Sequence, residues 1–116
     1  MKRKFRLRSS TDFKRVRRLG KSYAHPLIVL IRHPNGLSIS RIAVAAGKSI
    51  GNAIHRNRAK RQIRETIRPI LTAISPGWDI IILARPPIKQ APFSKILSAV
   101  HQMMKGADLL EDLNVN

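Results

Sequence analysis

Side chains that could act as a nucleophile, general acid or metal ligand are few in this sequence and stand far apart. The chain has no cysteine and four histidines, which excludes thiol nucleophiles and cysteine-rich zinc sites. No two histidines have the spacing that places two metal ligands on one face of a helix. They are His25, His33, His55 and His101. We therefore expect these histidines to be ordinary surface or core residues and expect no metal site.

The six acidic residues are equally poor candidates for catalysis. Glu65 has arginines four residues before it and three residues after it, which predicts an ion pair rather than a general acid. Asp12 fits the start of a helix, and Asp79 adjoins an apolar strand. A nuclease that works alone needs clustered carboxylates for a metal or a general acid–base pair, and the sequence shows neither. We expect no catalytic residue in this chain.

Gly47-Lys48-Ser49 resembles the end of a phosphate-binding P-loop. That motif requires a glycine five residues before its second glycine, and Ile42 stands at that position. The sequence therefore does not predict hydrolysis of nucleoside triphosphates.

The chemistry that the sequence does offer is the binding of phosphates. The chain has 23 Lys and Arg against 6 Asp and Glu, a formal net charge of +17. Six of these cations lie in residues 56–68, where Glu65 is the one acid, and such density costs stability unless an anion neutralises it. Most of the six are arginines, which favours bidentate phosphate contacts and stacking on bases. A helix that starts near Asn52 would add backbone N–H donors for a further phosphate.

The remaining composition is typical of one soluble domain. With 116 residues, 43% of them hydrophobic, the chain can bury its own core and is too apolar to be a disordered basic tail. Apolar runs such as residues 27–31 are too short to cross a membrane, and the basic start lacks the apolar stretch of a signal peptide. We expect a cytoplasmic protein with one domain over residues 1–106 and a flexible acidic tail over residues 107–116.

The basic segments must be positioned by helices and strands that the pattern also predicts. A second group of ten cations occupies residues 1–21, opposed by Asp12 alone, so two contact surfaces are expected. Residues 1–8 are predicted to form an extended arm, and a helix should run from Ser9 or Ser10 to Leu19 and stop at Gly20. Strands are expected over residues 23–33, divided near Pro26, and over residues 40–46, the two being joined as a hairpin at Pro34-Asn35-Gly36.

The second half of the chain predicts a helix, a buried strand and a last helix. The helix from Asn52 has an apolar stripe opposite its arginines and is broken at Pro69. The run Ile80–Ala84 predicts a strand buried on both faces. The last helix should begin near Pro92 and end at Gly106, which gives the order α-β-β-β-α-β-α.

One segment of the sequence resembles the Arg-Asn-Arg signature of the bacterial ribonuclease P protein component. It reads Gly51-Asn52-Ala53-Ile54-x-Arg56-Asn57-Arg58-x-Lys60-Arg61-x-Ile63-Arg64. The basic start, Asp12-Phe13 on a helix, Gly20 before the strands and the segment from Asp79 to Pro86 agree with the same family. The resemblance covers residues 3–105.

This resemblance implies an α+β two-layer sandwich of the ribosomal S5 domain 2-like fold, with a left-handed βαβ crossover. It implies that the chain is the protein subunit of a ribonucleoprotein endonuclease that removes the 5′ leader of precursor tRNA. The partners would be the ribonuclease P RNA and precursor tRNA, with no obligate protein partner and no membrane. Catalysis and Mg²⁺ would belong mainly to the RNA partner, with no organic cofactor.

The resemblance also implies two sets of site residues. Those expected to contact the catalytic RNA are Lys48, Asn52, Arg56, Asn57, Arg58, Lys60, Arg61, Arg64 and Arg68. Those expected in a leader-binding cleft between the first helix and the sheet are Arg6, Arg8, Phe13, Arg17, Tyr23 and Ile31. Phe13 fits both stacking on a leader base and packing in the core. Arg17 and Ile31 stand where other members have aromatic residues, so charge is expected to contribute more than stacking in this cleft.

Two other functions stay open on the sequence. A ribosomal or chaperone-like RNA-binding protein of the same fold would have no effect on the cleavage of precursor tRNA. A self-sufficient basic ribonuclease would cleave without an RNA partner, and the missing acid–base pair counts against it.

Overall fold

The computed structural model describes residues 2–111. This part of the chain forms three α-helices and one four-stranded sheet. The strands are β1 (Lys21–Ala24), β2 (Ile28–Pro34), β3 (Arg41–Ala45) and β4 (Trp78–Ala84), and the helices are α1 (Ser10–Leu19), α2 (Ala53–Ile67) and α3 (Phe93–Gly106). The predicted α+β class and the predicted order of elements are confirmed. Within residues 2–111, no helix combines the length and apolar character that crossing a bilayer requires.

The strands are arranged in the order β1-β2-β4-β3. β2 is antiparallel to both β1 and β4, whereas β3 is parallel to β4. The predicted hairpin of β2 with β3 is therefore wrong, because β4 lies between them. The turn itself is present, with Gly36 at φ 71°. After the turn, the chain passes the N-terminal end of β4, and β3 begins on the far side of that strand. α2 then connects β3 to β4 as the crossover that two neighbouring parallel strands require.

β4 occupies the centre because it is apolar on both faces, as its sequence predicts. Ile80, Ile81 and Ile82 are all fully buried. Ile80 and Ile82 belong to the main core, which the sheet forms with α2 and α3. Ile81 belongs to a smaller cluster on the opposite face, where Val16 of α1 packs. The sheet with α2 and α3 makes the main sandwich, and α1 covers part of the second face.

The start, the buried side and the end of α2 are determined by a cap, an apolar stripe and a proline. The side-chain oxygen of Asn52 accepts a hydrogen bond from the backbone N–H of His55 at 3.1 Å, which caps the helix. Ala59 and Ile63 lie on its buried side. Pro69 has no N–H to donate, and the chain continues beyond α2 as a 3₁₀ turn. The predicted start, stripe and break of this helix are confirmed.

The N-terminal arm packs on the sheet rather than extending freely. Leu7 is 6% exposed, and its backbone N–H donates to the carbonyl of Ile42 in β3 at 2.9 Å. Arg6 also pairs with Ile42 in a parallel bridge. The arm thus lies along the outer edge of β3. Burial of Leu7, an apolar side chain within a basic run, favours this position.

The packed domain also extends beyond residue 106. Ala107 and Leu109 are fully buried, and the N–H of Glu111 donates to the carbonyl of Ala73 at 2.7 Å. The helix ends at Gly106 as predicted, and Asp108, at φ 58°, takes the left-handed conformation beyond it. The predicted tail therefore does not begin at residue 107, and its last part, residues 112–116, lies outside the described residues.

Gly20 stops α1 as predicted, but the physical reason is close approach. Its φ of −73° is open to any residue. A Cβ at this position would lie 2.5 Å from the carbonyl oxygen of Val16, 2.6 Å from Cγ2 of Ile31 and 2.8 Å from the carbonyl oxygen of Arg32. Two of these atoms belong to the backbone, so glycine is what allows the chain to turn from α1 into β1 this close to β2.

Replacing Gly20 by Ala is expected to lower the free energy of unfolding by about 1–3 kcal/mol, the usual cost of forcing extra volume into a packed site. The measurement is urea unfolding followed by circular dichroism. Gly47→Ala is the matched control, since a Cβ there would meet no atom within 4 Å. Equal unfolding midpoints for the two variants would contradict the close-approach argument.

Candidate RNA interface

α2 presents a row of arginines on the side away from the core. Because Ala59, Ile63 and Ile67 are buried, the intervening cations lie on the outer surface. Within residues 2–111, none of the cations over 56–64 makes an ion pair, and Arg68 pairs with Glu65 at 3.1 Å. The exposed members of the predicted set are Lys48, Asn52, Asn57, Arg58, Arg61, Arg64 and Arg68, while Arg56 and Lys60 are half-buried.

The pair of Glu65 with Arg68 lies at the rim of this surface. Both side chains are well exposed, at 47% and 72% respectively, so the pair contributes little to stability. The prediction that Glu65 is an ion-pair partner is confirmed. The remaining positive charge of α2 stays uncompensated by the described part of the chain, which suits a surface that meets an anionic partner.

The start of α2 holds the predicted residues in place by local structure. The side-chain oxygen of Asn52 is already bonded in the helix cap. Lys48 is exposed at the beginning of a 3₁₀ turn whose last residue, Ile50, is fully buried. Gly51, between the turn and the helix, has a φ of 127°, which favours glycine. Ile50 therefore anchors the segment, and Lys48 projects beside the positive end of α2.

Several residues of the predicted leader site lie on α1 and on the sheet face that α1 covers. Phe13 is half-buried and packs on the cluster of Leu7, Val16, Ile31 and Ile81. The predicted packing of Phe13 in the core is therefore confirmed in part, and its stacking on a leader base stays a prediction. Ile31 is only 4% exposed, which makes it part of the floor under α1 rather than a surface for a ligand.

Arg17 is exposed on α1, whereas Tyr23 lies on the other face of the sheet from Phe13. The ring of Tyr23 packs against the main core. Its hydroxyl accepts a hydrogen bond from Nε of Arg32 at 3.1 Å, and the guanidinium of Arg32 lies 4.3 Å from the ring centre of Trp78. The structure therefore does not bring Tyr23 together with Phe13 in one cleft. Ser22, its neighbour, pairs with Ile31, so strand alternation turns Tyr23 away.

The arm brings the two predicted sets of residues together. Arg6 lines a cavity of about 190 Å³ with Arg61, Arg64 and Arg68. Arg8 and Arg64 line a neighbouring cavity along the edge of β3. The sequence predicts two separate surfaces, whereas the structure joins them at this edge into one basic band. The two surfaces are joined because Leu7 packs on the sheet, and the sequence alone does not predict that packing.

Sequence reasoning missed an ion-pair network on the α1 face of the sheet. Arg41 Nε lies 2.8 Å from Oδ1 of Asp79, and Arg41 Nη2 lies 2.7 Å from Oδ2 of the same carboxylate. Nη2 also lies 3.4 Å from Oδ2 of Asp12 on α1. Asn35 Nδ2 donates to Oδ1 of Asp79 at 3.0 Å. Hydrogen bonding to Asp79 raises the pKa of Arg41 despite its partial burial, so its charge persists at every ordinary pH.

This arrangement offers binding rather than acid–base chemistry. Over residues 2–111, no three side chains among His, Cys, Asp and Glu come together as a metal site would need. Asp12 and Asp79 are both held by Arg41. What the surface provides is a band of guanidinium groups beside a half-exposed aromatic ring, the combination that binds single-stranded nucleic acid.

Known proteins with the same sequence pattern and fold are ribonuclease P proteins. A family model described as Ribonuclease P matches residues 1–108. The ribonuclease P protein component of Herpetosiphon aurantiacus is 41% identical over 112 residues, 97% of this chain and 91% of that protein. Its counterpart from a Roseiflexus species is 36% identical over 112 residues, 96% of this chain and 92% of that protein.

Solved structures agree with the sequence relatives. The RNase P protein of Staphylococcus aureus has a TM-score of 0.84 at 30% identity, with 92% of this chain and 98% of that chain covered. The protein from Thermotoga maritima has a TM-score of 0.79 at 28% identity, covering 87% of this chain and 96% of that chain. With an Arg-Asn-Arg helix on the same fold and a family match over nearly its whole length, the chain belongs to the ribonuclease P protein family.

Proposed function

We propose that this chain is the protein subunit of a ribonuclease P, which binds the catalytic RNA through α2 and the 5′ leader of precursor tRNA through the cleft beside α1. The observation that carries the proposal is the row of arginines that the buried stripe of α2 holds outward, where Arg58, Arg61 and Arg64 have no ion-pair partner within residues 2–111. The proposal places the chain in the cytoplasm, where precursor tRNA is made.

The α2 surface is suited to a folded RNA. Its guanidinium groups repeat at helical spacing, and Arg58, Arg61 and Arg64 are exposed without an ion-pair partner in the described chain. Each can meet a backbone phosphate in bidentate geometry. Phosphate contacts position a protein on nucleic acid without reading its sequence, which suits a subunit that recognises one large structured partner.

The cleft beside α1 is suited to a single strand. Phe13 offers an exposed part of its ring for stacking, which tolerates any base. Arg17 on α1 is exposed nearby along the helix, and Arg6 and Arg8 flank the edge of β3. A leader varies in sequence from one precursor to another, so stacking and phosphate contacts are the recognition that it needs.

The proposed reaction is hydrolysis of one phosphodiester bond, which releases the leader and leaves a 5′-phosphate on the tRNA. Mg²⁺ ions held mainly by the RNA partner would stabilise the charge of the reacting phosphate. Two of the six acids of this chain, Asp12 and Asp79, are already bonded to Arg41. The role proposed for the chain is to screen the repulsion between two RNAs and to hold the leader, which lowers the Mg²⁺ requirement.

Reconstitution tests this function against its two rivals. Precursor tRNA with a leader is incubated at low Mg²⁺ with the chain alone, with the ribonuclease P RNA alone, and with both. We expect cleavage at the mature 5′ end when both are present, because neither the protein nor the RNA suffices when charge screening is weak. Cleavage by the chain alone would favour a self-sufficient ribonuclease, and no stimulation of the RNA would favour a ribosomal or chaperone-like protein.

The salt dependence of RNA binding tests the α2 surface. If its six cations each neutralise one phosphate, the slope of log affinity against log salt is roughly −4 to −5. Replacing Arg58, Arg61 and Arg64 by Ala is expected to flatten the slope by about two to three units. The control replaces Lys89, Lys95 and Lys105, which are exposed around α3, and removes the same charge. Equal slopes for the two triple variants would move the RNA surface away from α2.

Leader binding tests the role of Phe13. Phe13→Ala is expected to weaken binding of leader-containing precursor tRNA by roughly five- to a hundredfold, the range of one base-stacking contact, and to leave leaderless tRNA unaffected. Phe13→Leu keeps an apolar side chain over the cluster but cannot stack, so it should lose a similar factor. Phe93→Ala removes a 43%-exposed aromatic ring from α3 and serves as the control. Full leader affinity in Phe13→Leu would assign Phe13 to the core alone.

A further inference from the structure

Two acidic residues converge on Arg41 although one already satisfies it. Asp79 is 2% exposed and binds Arg41 through both oxygens, at 2.8 and 2.7 Å. Asn35 supplies a further hydrogen bond to Asp79. A buried carboxylate requires such partners, so the Asp79–Arg41 pair is complete within the sheet. The third contact, from Asp12 to Arg41 at 3.4 Å, adds nothing that the buried charge needs.

The Asp12 contact does something else, because it joins α1 to β3. α1 has ten residues and only Val16 is fully buried, and a helix this short is marginal without tertiary contacts. Its C-terminal end is fixed by the close approach at Gly20. Its first turn has the half-buried ring of Phe13 and the ion pair of Asp12. Asp12 also pairs with Arg15 at 3.0 Å, but that pair lies within α1 and cannot hold the helix on the sheet.

The position of Asp12 is costly for a surface that attracts phosphate. It is the one acid among the ten cations of residues 1–21, and its charge repels a leader backbone nearby. Its neighbour in sequence, Phe13, is the aromatic residue of the cleft. The carboxylate of Asp12 therefore contributes to the placement of α1 on the sheet and not to the attraction of RNA.

We propose that Asp12 is a positioning residue for the leader: its ion pair with Arg41 fixes the first turn of α1 against the sheet and so holds Phe13 at the wall of the cleft. This inference rests on the proposed function of that cleft. The positioning role and the net charge predict opposite effects on leader binding when Asp12 is removed. Removing Asp12 adds one positive charge, which by itself tightens RNA binding, whereas loss of positioning weakens binding of the leader.

The test uses the holoenzyme with Asp12→Asn, which keeps the size of the side chain. Affinity is measured for precursor tRNA with and without its leader, and their ratio is the leader contribution. We expect this ratio to fall roughly two- to fivefold, the range for one partly exposed ion pair, while leaderless tRNA binds as well as before. Glu111→Gln is the control, since it removes one exposed acid elsewhere and should leave the ratio unchanged. A ratio that is unchanged or higher in Asp12→Asn would overturn the inference.

A double variant shows whether Asp12 acts through Phe13. In a Phe13→Ala background, Asp12→Asn is expected to cause no further fall in the leader ratio, because the ring that it positions is gone. A further fall of the same size would mean that Asp12 acts by another route. If Phe13→Ala alone leaves the ratio unchanged, the proposed leader cleft is wrong, whereas an effect of Phe13→Ala with none of Asp12→Asn refutes only the positioning role. Circular dichroism at each step verifies that α1 and the domain remain folded.

Discussion

Burial of β4 on both faces is the constraint on which the rest of this structure depends. Ile80 and Ile82 point to α2 and α3, and Ile81 points to α1. A strand with no polar face must lie at the centre of a sheet covered on both sides. The consequence is that β3 cannot pair with β2 and that α2 must cross between two neighbouring parallel strands. The outward direction of the α2 arginines follows from that crossover, since its apolar stripe has one surface to bury.

The same constraint determines what the few acids do. Asp79, at the start of β4, lies directly beside Arg41 of β3 in the parallel register. A carboxylate at this depth needs a cation, and that cation in turn reaches α1 through Asp12. Glu65 pairs with Arg68 at an exposed rim. The two acids that are bound to Arg41 thus serve the fold, and the arginines of α2 itself form no ion pair within residues 2–111.

The sequence predicted those features that depend on local periodicity. The cap at Asn52, the apolar stripe that contains Ile63 and the break at Pro69 all depend on residues of one helix and its ends, so local sequence is enough to predict them. Features that depend on which strands are neighbours were out of reach. The turn signal at Gly36 is genuine, but no local signal says that β4 will enter between β2 and β3. The network of Arg41 with Asp79 follows from the register of β3 on β4, and the turning of Tyr23 away from Phe13 follows from the pairing of Ser22 with Ile31.

Joining of the two basic segments has an electrostatic consequence for assembly. Arg6 of the arm and Arg64 of α2 line the same cavity, so their charges repel each other over a short distance in the free protein. A phosphate at either residue reduces that repulsion. Any anion that binds the folded form also stabilises it relative to the unfolded chain. If α2 contacts RNA as proposed, that contact would therefore favour the docked arm, and the two proposed contact surfaces would stabilise each other.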